Sequence, residues 1–210
     1  MSPARYNARE VARRVGRLTR EYDDVTVVTE REEPSGEFDD LRAHAEDGYI
    51  GGAYCWTVRT ADQVAGPGAG DGCVRDDTEE AREARERVLL GMGRERDSWC
   101  PPGGGLRGYD SDEPGSGETF EQTATRVVHE ETGIDCEPTD CVFVHWAIVE
   151  DPCSADEVHL AYVVFDGAYC GGSVAIESDQ LNGAAWFADL PPNLHYFAQR
   201  RADAWPVENR

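Results

Sequence analysis

The sequence contains no lysine, and all 20 of its basic residues are arginine. This absence excludes the phosphate-binding loop of the G-x-x-x-x-G-K-[ST] type, whose lysine reaches the phosphates. It also excludes pyridoxal Schiff-base enzymes and lysine nucleophiles, since both depend on a lysine amine. Any chemistry in this protein therefore relies on its other polar side chains and on its backbone.

Long apolar runs are absent as well. Residues 1–10 lack the apolar segment of a secretion signal, and no stretch approaches the roughly 20 apolar residues of a membrane span. The seven cysteines form no C-x-x-C motif, and an odd number in a cytosolic chain favours unpaired, mostly buried thiols. We expect a soluble, cytoplasmic protein with no membrane partner.

Acidic residues dominate the composition. The formal net charge is −22 and the isoelectric point is about 4.4. A domain this acidic repels itself at low salt, whereas at about 1 M salt the Debye length falls to roughly 3 Å. Together with the missing lysine, this favours a salt-loving cytoplasm over an acidic mesophilic protein. The charge also argues against nucleic acid as a partner, since nucleic acid attracts basic surfaces.

Apolar periodicity predicts a fold of the α+β or α/β class with a mixed β-sheet. Predicted helices cover residues 7–21, 119–132 and 193–204. Predicted strands cover residues 25–28, 50–58, 87–93, 141–149, 158–166, 173–176 and 184–187, and residues 31–48 are predicted to be loop or a frayed helix. We expect an N-terminal helix and strand extension over residues 1–47 and a main domain over 48–205. Acidic, glycine-rich insertions interrupt that domain at 60–84 and 106–117.

The most informative segment is a short helix that follows the glycine-rich turn Trp99–Gly105. Thr119 and Gln122 have the spacing of a capping box, which predicts the start of the helix. Gly133 follows the last turn, where a left-handed cap is expected. The helix therefore has local signals at both ends.

Two adjacent acids, Glu130 and Glu131, lie in the last turn of this helix. At about 100° per residue, Glu131 falls near the apolar face of Phe120 and Ala124, and Glu130 flanks it. A carboxylate so close to a core must be paired, hydrogen-bonded or bound to a metal. Adjacent carboxylates beside a glycine-rich loop suit a hard divalent cation and a phosphate-containing substrate. His129 points the other way, to solvent.

This pattern resembles the signature of the Nudix hydrolases. That signature runs glycine, five residues, glutamate, seven residues, Arg-Glu, an apolar residue, any residue, Glu-Glu, any residue, glycine, apolar residue. The chain matches it, in step, at Glu118, Arg126, Val128, Glu130, Glu131, Gly133 and Ile134. The preceding Trp-x-x-Pro-Gly-Gly turn is also typical, as are Trp186-Phe187 and Leu190-Pro191 downstream. The resemblance covers roughly residues 48–200.

The resemblance implies a mixed sheet sandwiched by helices and a pyrophosphohydrolase that uses Mg²⁺ or Mn²⁺. By position, Glu130, Glu131 and a backbone carbonyl at Gly104 would hold the metal, and Gly103 and Gly105 would form the substrate loop. Arg126 and Glu118 would be an orienting pair. A further acid from the loop before the closing strand would assist catalysis, and Glu177 matches it. The substrate would be a nucleotide such as ADP-ribose.

Two departures from the signature leave alternatives open. Residues 106–117 replace the usual five, which a loop tolerates because each doubling of length costs only about 0.6 kcal/mol. Val127 stands where the family has the glutamate of Arg-Glu, which leaves one fewer carboxylate for the cation. The chain is therefore either an active hydrolase or a nucleotide-binding or regulatory module of the same fold, with a purely structural domain ranked last.

The sequence leaves open which aromatic residues contact a nucleobase and whether the chain forms a homodimer. The aromatic residues of the predicted strands are mostly core, and one or two of them are free to stack on a nucleobase. They are Tyr54, Trp56, Phe143, Trp146 and Tyr162. A homodimer formed through residues 1–30 is also left open.

Overall fold

The structure of the protein is a computed structural model that describes residues 3–65, 85–94, 97–176, 180–203 and 205. The strands of this part are β1 (Arg5–Tyr6), β2 (Thr26–Glu32), β3 (Gly51–Arg59), β4 (Arg87–Gly93), β5 (Trp99–Cys100), β6 (Gly103–Gly105), β7 (Ile134–Glu150), β8 (Glu157–Gly172) and β9 (Leu181–Phe187). Its helices are α1 (Ala8–Glu21), α2 (Phe38–Glu46), α3 (Ala61–Ala65), α4 (Phe120–Thr132) and α5 (Tyr196–Ala202).

The described strands form one mixed sheet. The central order is β2-β7-β8-β3-β4-β5, while β1 pairs with β8, β6 with β3 and β9 with β4. β2 and β7 are parallel, as are β3 and β8, whereas β7 and β8 form a long antiparallel pair. The expected fold class, a mixed sheet with helices, is confirmed.

Helices cover both faces of the sheet. Alternate residues of a strand point to opposite sides, and in β3 and β8 both sides carry apolar side chains that must be buried. On one face, Ala53 of β3 and Phe165 of β8 pack with the apolar sides of α1 and α4. On the other face, Tyr54 and Val164 pack with Phe197 of α5. α2 covers the same second face further along. The sheet is therefore the middle layer of a sandwich.

Several predicted elements are confirmed, and others are wrong. Strand β4 and helices α1 and α4 lie where they were predicted. Residues 31–48, predicted to be loop or a frayed helix, contain all of α2 and also the end of β2, and no strand was predicted there. The extra length of β2 comes from its pairing with β7, which continues as far as Glu32 opposite Val149. A long-range partner of this kind leaves no local signal.

The strand predicted over residues 173–176 is wrong, because these residues have no regular secondary structure. β8 ends at Gly172, whose φ of 84° turns the chain away from the sheet. The Ala175 amide then donates a 2.8 Å hydrogen bond to the Thr132 carbonyl at the end of α4. The segment therefore caps the helix instead of extending the sheet.

The described cysteines are free thiols, as expected. Four are buried, namely Cys55, Cys100, Cys136 and Cys141, and two are exposed, namely Cys153 and Cys170. Cys73 and most of the insertion predicted at 60–84 lie outside the described residues. Within the described helices, none is both long and apolar enough to cross a membrane.

A buried arginine connects α1 to the second insertion. Arg14 is 4% exposed, and its Nε donates to the carboxylate of Glu10, which is itself buried. Its Nη1 and Nη2 donate to the carbonyl oxygens of Glu118 and Ser116, at 2.5 and 2.6 Å. These hydrogen bonds hold the end of the insertion at 106–117 against the N-terminal helix. The boundary between an N-terminal extension and a main domain at residue 47 stays a prediction.

We expect Arg14→Met to lower the free energy of unfolding by about 3 kcal/mol. Glu10 would keep its ion pair with the half-exposed Arg13 but lose its buried partner, and two loop carbonyls would lose their donor. Chemical denaturation measures this change, with Arg20→Met as the control on the exposed side of the same helix. The control should change stability by no more than about 0.5 kcal/mol. Equal effects of the two substitutions would contradict this role for Arg14.

Candidate functional site

Two adjoining cavities lie between the end of α4 and the glycine turn. The glycine-loop cavity, of about 560 Å³, is lined by Gly103, Gly104, Gly105, Arg107, Arg126, Val127, Glu130, Glu131 and Gln180. The tyrosine cavity, of about 370 Å³, is lined by Tyr54, Gly91, Gly93, Arg94, Cys100, Pro101, Pro102, Gly103, Glu131, Gln180 and Leu181. Gly103, Glu131 and Gln180 line both, so the two cavities adjoin at these residues.

The ends of α4 are fixed by the residues that the sequence indicated. The Thr119 hydroxyl accepts from the Gln122 amide, and the Gln122 side chain accepts from the Thr119 amide, so the capping box is confirmed. Gly133 has a φ of 70°, and its amide donates to the His129 carbonyl at 2.8 Å. His129 is exposed, as expected. These caps set which residues of the last turn face the cavity.

An ion pair between Arg126 and Glu118 connects the helix to its preceding loop. Arg126 Nε and Nη2 donate to the two carboxylate oxygens of Glu118 at 2.6 and 2.8 Å. Arg126 Nη2 also donates to the Gly105 carbonyl at 2.9 Å. The Glu118 carboxylate accepts further from Thr123 and from the Arg107 amide. The hydrogen bond from Arg126 is the main reason that the pKa of Glu118 is lowered.

Glu130 is held by two arginines. Both of its carboxylate oxygens accept from the Arg107 guanidinium, at 2.8 and 3.0 Å, and one also accepts from Arg126 Nη1 at 3.0 Å. The hydrogen bond from Arg107 is the largest cause of the lowered pKa of Glu130. Arg107 itself is exposed, with 62% of its side chain open to solvent, so this pair can exchange partners.

Sequence reasoning missed Arg107. It is the one basic residue of the segment 106–117, two positions after Gly105. A single arginine in an acidic insertion, next to a site rich in carboxylates, is the signal that could have identified it. The sequence also gave no reason to single out Gln180, which lines both cavities.

Residues 70–202 match the family described as NUDIX domain. The chain belongs to this family. The sequence has no significant match among the curated proteins.

Three solved structures of low identity are similar to this NUDIX domain. One is a MutT NUDIX hydrolase from Burkholderia pseudomallei (20% identity, 75% of this chain and 98% of that chain, TM-score 0.43). Another is an ADP-ribose pyrophosphatase from Streptococcus suis (16% identity, 76% and 94%, TM-score 0.41). A third is a MutT protein from Methanosarcina mazei (19% identity, 74% and 94%, TM-score 0.40).

The position that departs from the family signature faces the glycine loop of this NUDIX domain. Val127 is buried, and its two methyl groups would lie 3.4 Å from a Cβ built on Gly104. It lines the same cavity as Glu130 and Glu131. An apolar side chain therefore stands directly beside the loop that the resemblance assigns to the metal.

The structure brings most of the predicted site residues of the NUDIX domain together. Glu130, Glu131 and Gly103–Gly105 line one cavity, and Arg126 lines it too. Glu118 reaches the site through its ion pair with Arg126. Glu177 lies outside the described residues, so its predicted role stays a prediction.

Of the aromatic residues considered for stacking, Tyr54 lines a cavity. Its ring lies 4.7 Å from that of Phe197, which supports it from α5. Trp56 and Phe143 are buried core residues. Tyr54 is therefore the member of this group that the structure brings closest to the site.

We expect the stabilising effect of Glu118 to depend on pH. Since its pKa is lowered in the folded protein, the effect is fully present above the ordinary value of 4.5 and disappears as the pH falls through the folded value. At neutral pH, Glu118→Gln should lower the free energy of unfolding by about 2 kcal/mol. The difference from the native chain should shrink once the pH falls below about 4.

Denaturation at a series of pH values measures this difference. Glu113→Gln is the matched control, because Glu113 is an exposed acid of the same insertion. The control should match the native chain at every pH. A Glu118→Gln difference that stays constant down to pH values at which all carboxylates are protonated would show that the ion pair is not its source.

Proposed function

We propose that this NUDIX domain is a Mg²⁺-dependent hydrolase that cleaves a pyrophosphate bond in a nucleoside diphosphate linked to another moiety, such as ADP-ribose. One observation carries the proposal: Glu130 and Glu131 line the same cavity as the glycine loop Gly103–Gly105. Carboxylates and backbone carbonyls are the oxygen ligands that Mg²⁺ and Mn²⁺ take, with phosphate oxygens and water completing the set. The donor set therefore fits a hard divalent cation.

Glu130, Glu131 and the carbonyl of Gly104 would hold this cation. Bound there, a divalent cation would supply positive charge against the diphosphate and the charge that develops as water attacks phosphorus. Arg126 and Glu118 would act as positioning residues, because Arg126 contacts Glu130, Gly105 and Glu118 at once. Glu177, in the segment before β9, remains our candidate for an additional acid.

Arg107 would change partners when substrate binds. In the structure its guanidinium satisfies both oxygens of Glu130. A planar guanidinium also binds phosphate oxygens in a bidentate manner. We infer that the diphosphate takes Arg107 from Glu130, which leaves the Glu130 carboxylate available to the cation. This exchange joins substrate binding to assembly of the metal site.

Two cavities that share lining residues support a substrate with two parts. The diphosphate would lie in the glycine-loop cavity, near Arg107 and Arg126. The nucleoside would extend into the tyrosine cavity, which Tyr54, Arg94 and Gln180 line. The net charge of −22 supports a working environment of high salt in the cytoplasm.

The alternative is a nucleotide-binding or regulatory module with little or no catalysis. Two observations favour it over an active hydrolase. Val127 supplies no carboxylate beside Gly104, and Glu130 is engaged by two arginines. Such a module would bind a nucleotide in the same cavities and release it unchanged.

We expect Mg²⁺-dependent turnover of at least one member of a panel of ADP-ribose, dinucleotide polyphosphates and nucleoside triphosphates, assayed at low and at high salt. Glu131→Gln should lower kcat by at least about a hundredfold, the loss expected for a positioned catalytic group. Glu137→Gln is the control, because Glu137 is an exposed acid on β7 away from the cavities. It should retain native activity.

Each outcome of this assay separates the two hypotheses. Binding of a panel member without turnover would favour the binding module. A native chain that binds neither nucleotide nor divalent cation would contradict both. Turnover that survives in Glu131→Gln would remove that residue from the metal site.

We expect Val127→Glu to raise kcat by about tenfold or more relative to Val127→Gln, because it returns a carboxylate to the face beside Gly104. The glutamine variant has the same size without the charge. Circular dichroism of both variants checks that the buried position tolerates a polar side chain. If the two variants have equal activity, the missing carboxylate is not what limits catalysis.

A further inference from the structure

A second group of possible metal ligands lies on the sheet face opposite α4. Glu30 and Glu32 belong to β2, the edge strand, and His145 belongs to the adjacent strand β7. Because side chains two residues apart share a face, Glu30 and Glu32 point to the same side. His145 lies on that side too, since its ring meets those of Tyr196 and Phe197 in α5.

The spacing of the donor atoms matches that of ligands around one ion. His145 Nε2 lies 2.8 Å from Glu32 Oε1 and 3.5 Å from Glu30 Oε2. One ligand atom from each of the three residues lies within 4.8 Å of the others. In a tetrahedral zinc site, with metal–ligand distances of about 2.0–2.2 Å, ligand atoms are separated by roughly 3.4 Å. Little movement is therefore needed to converge on a cation.

The imidazole of His145 lacks the hydrogen bonds that a buried ring requires. His145 is only 9% exposed, and neither ring nitrogen has a hydrogen-bond partner among the described residues. The Glu32 oxygen at 2.8 Å from Nε2 forms no hydrogen bond with it, despite this short distance. Ligands of a shared ion are arranged in this way, because each points at the ion and not at its neighbour. An unsatisfied buried nitrogen costs about 1–3 kcal/mol, which a ligand would recover.

The opposite face of the sheet, at β8 and its neighbours, offers a comparison within the protein. There Glu157 contacts Arg5, Arg31 and His159, and His159 Nδ1 accepts from the Trp146 indole. Arginines and an indole thus satisfy that pair of acid and histidine. Within the described part of the chain, Glu30 and Glu32 form no ion pair with an arginine, and Arg200 stacks instead on Phe143 and Tyr196.

We propose that Glu30, Glu32 and His145 form a binding site for a divalent transition-metal ion of the Zn²⁺ type, separate from the cavities beside α4. One imidazole nitrogen and two carboxylate oxygens suit a borderline ion better than Mg²⁺. Three protein ligands leave a position for water. The ion would neutralise the two glutamates and join the edge strand β2 to β7.

Equilibrium dialysis of the full-length chain against Zn²⁺, in an excess of Mg²⁺, tests the proposal through the number of Zn²⁺ bound per chain. Glu32→Gln and His145→Gln should each lose one bound Zn²⁺ relative to the native chain. Glu33→Gln, an exposed acid next to the strand, and His129→Gln, an exposed histidine, are the matched controls and should lose none. The native chain and these four variants have the same cysteines, so any Zn²⁺ bound by thiols does not affect the difference between them.

The two carboxylates are half-exposed, so Glu30→Gln provides a second test with little risk to folding, and circular dichroism checks His145→Gln. Equal Zn²⁺ binding by the native chain and all these variants would overturn the proposal, and the group would then be a simple contact between a histidine and two acids. Zn²⁺ stoichiometry does not depend on nucleotide hydrolysis. The proposal can therefore fail while the proposed function stands, and the reverse is equally true.

Discussion

The bidentate ion pair between Arg126 and Glu118 is the interaction on which the rest of the site depends. The same guanidinium reaches the Gly105 carbonyl and the Glu130 carboxylate. One side chain thus joins the glycine loop, the end of the insertion and the last turn of α4. Because a planar guanidinium fixes direction as well as distance, α4 cannot rotate without breaking several charged hydrogen bonds. The position of Glu130 and Glu131 over the cavity follows from this constraint.

Arginine–carboxylate ion pairs recur through the molecule, as expected for an acidic chain that has arginine but no lysine. Glu10 is paired with Arg14, Glu157 with Arg5 and Arg31, and Asp166 with Arg201. An acid that is removed from water must be compensated, and each of these has been. Two places differ. Glu130 is paired with the exposed Arg107, which can dissociate from it. Glu30 and Glu32 lie beside the buried His145 and not beside an arginine. Both are places where a metal cation is a chemically reasonable partner.

The parts of the fold that the sequence predicted are those governed by local chemistry. The capping box at Thr119, the left-handed glycine at 133 and the apolar run of β4 act within a few residues, so their signals are visible in the chain itself. The full length of β2 was not predictable in this way, because charged residues 30–32 form a strand only through pairing with β7. For the site, the signature identified Glu130 and Glu131. It gave no indication that Arg107 would bind Glu130, since that contact depends on how the long insertion folds back.

We propose that Glu130 exchanges Arg107 for a divalent cation held with Glu131 and the glycine loop. Anomalous diffraction from crystals of the full-length chain, grown with Mn²⁺ and a non-hydrolysable ADP-ribose analogue, tests this exchange. We expect an anomalous peak between the carboxylates of Glu130 and Glu131 near Gly104, with the guanidinium of Arg107 moved to the phosphates. Electron density for the analogue with no peak at that position, and with Arg107 still bound to Glu130, would contradict it.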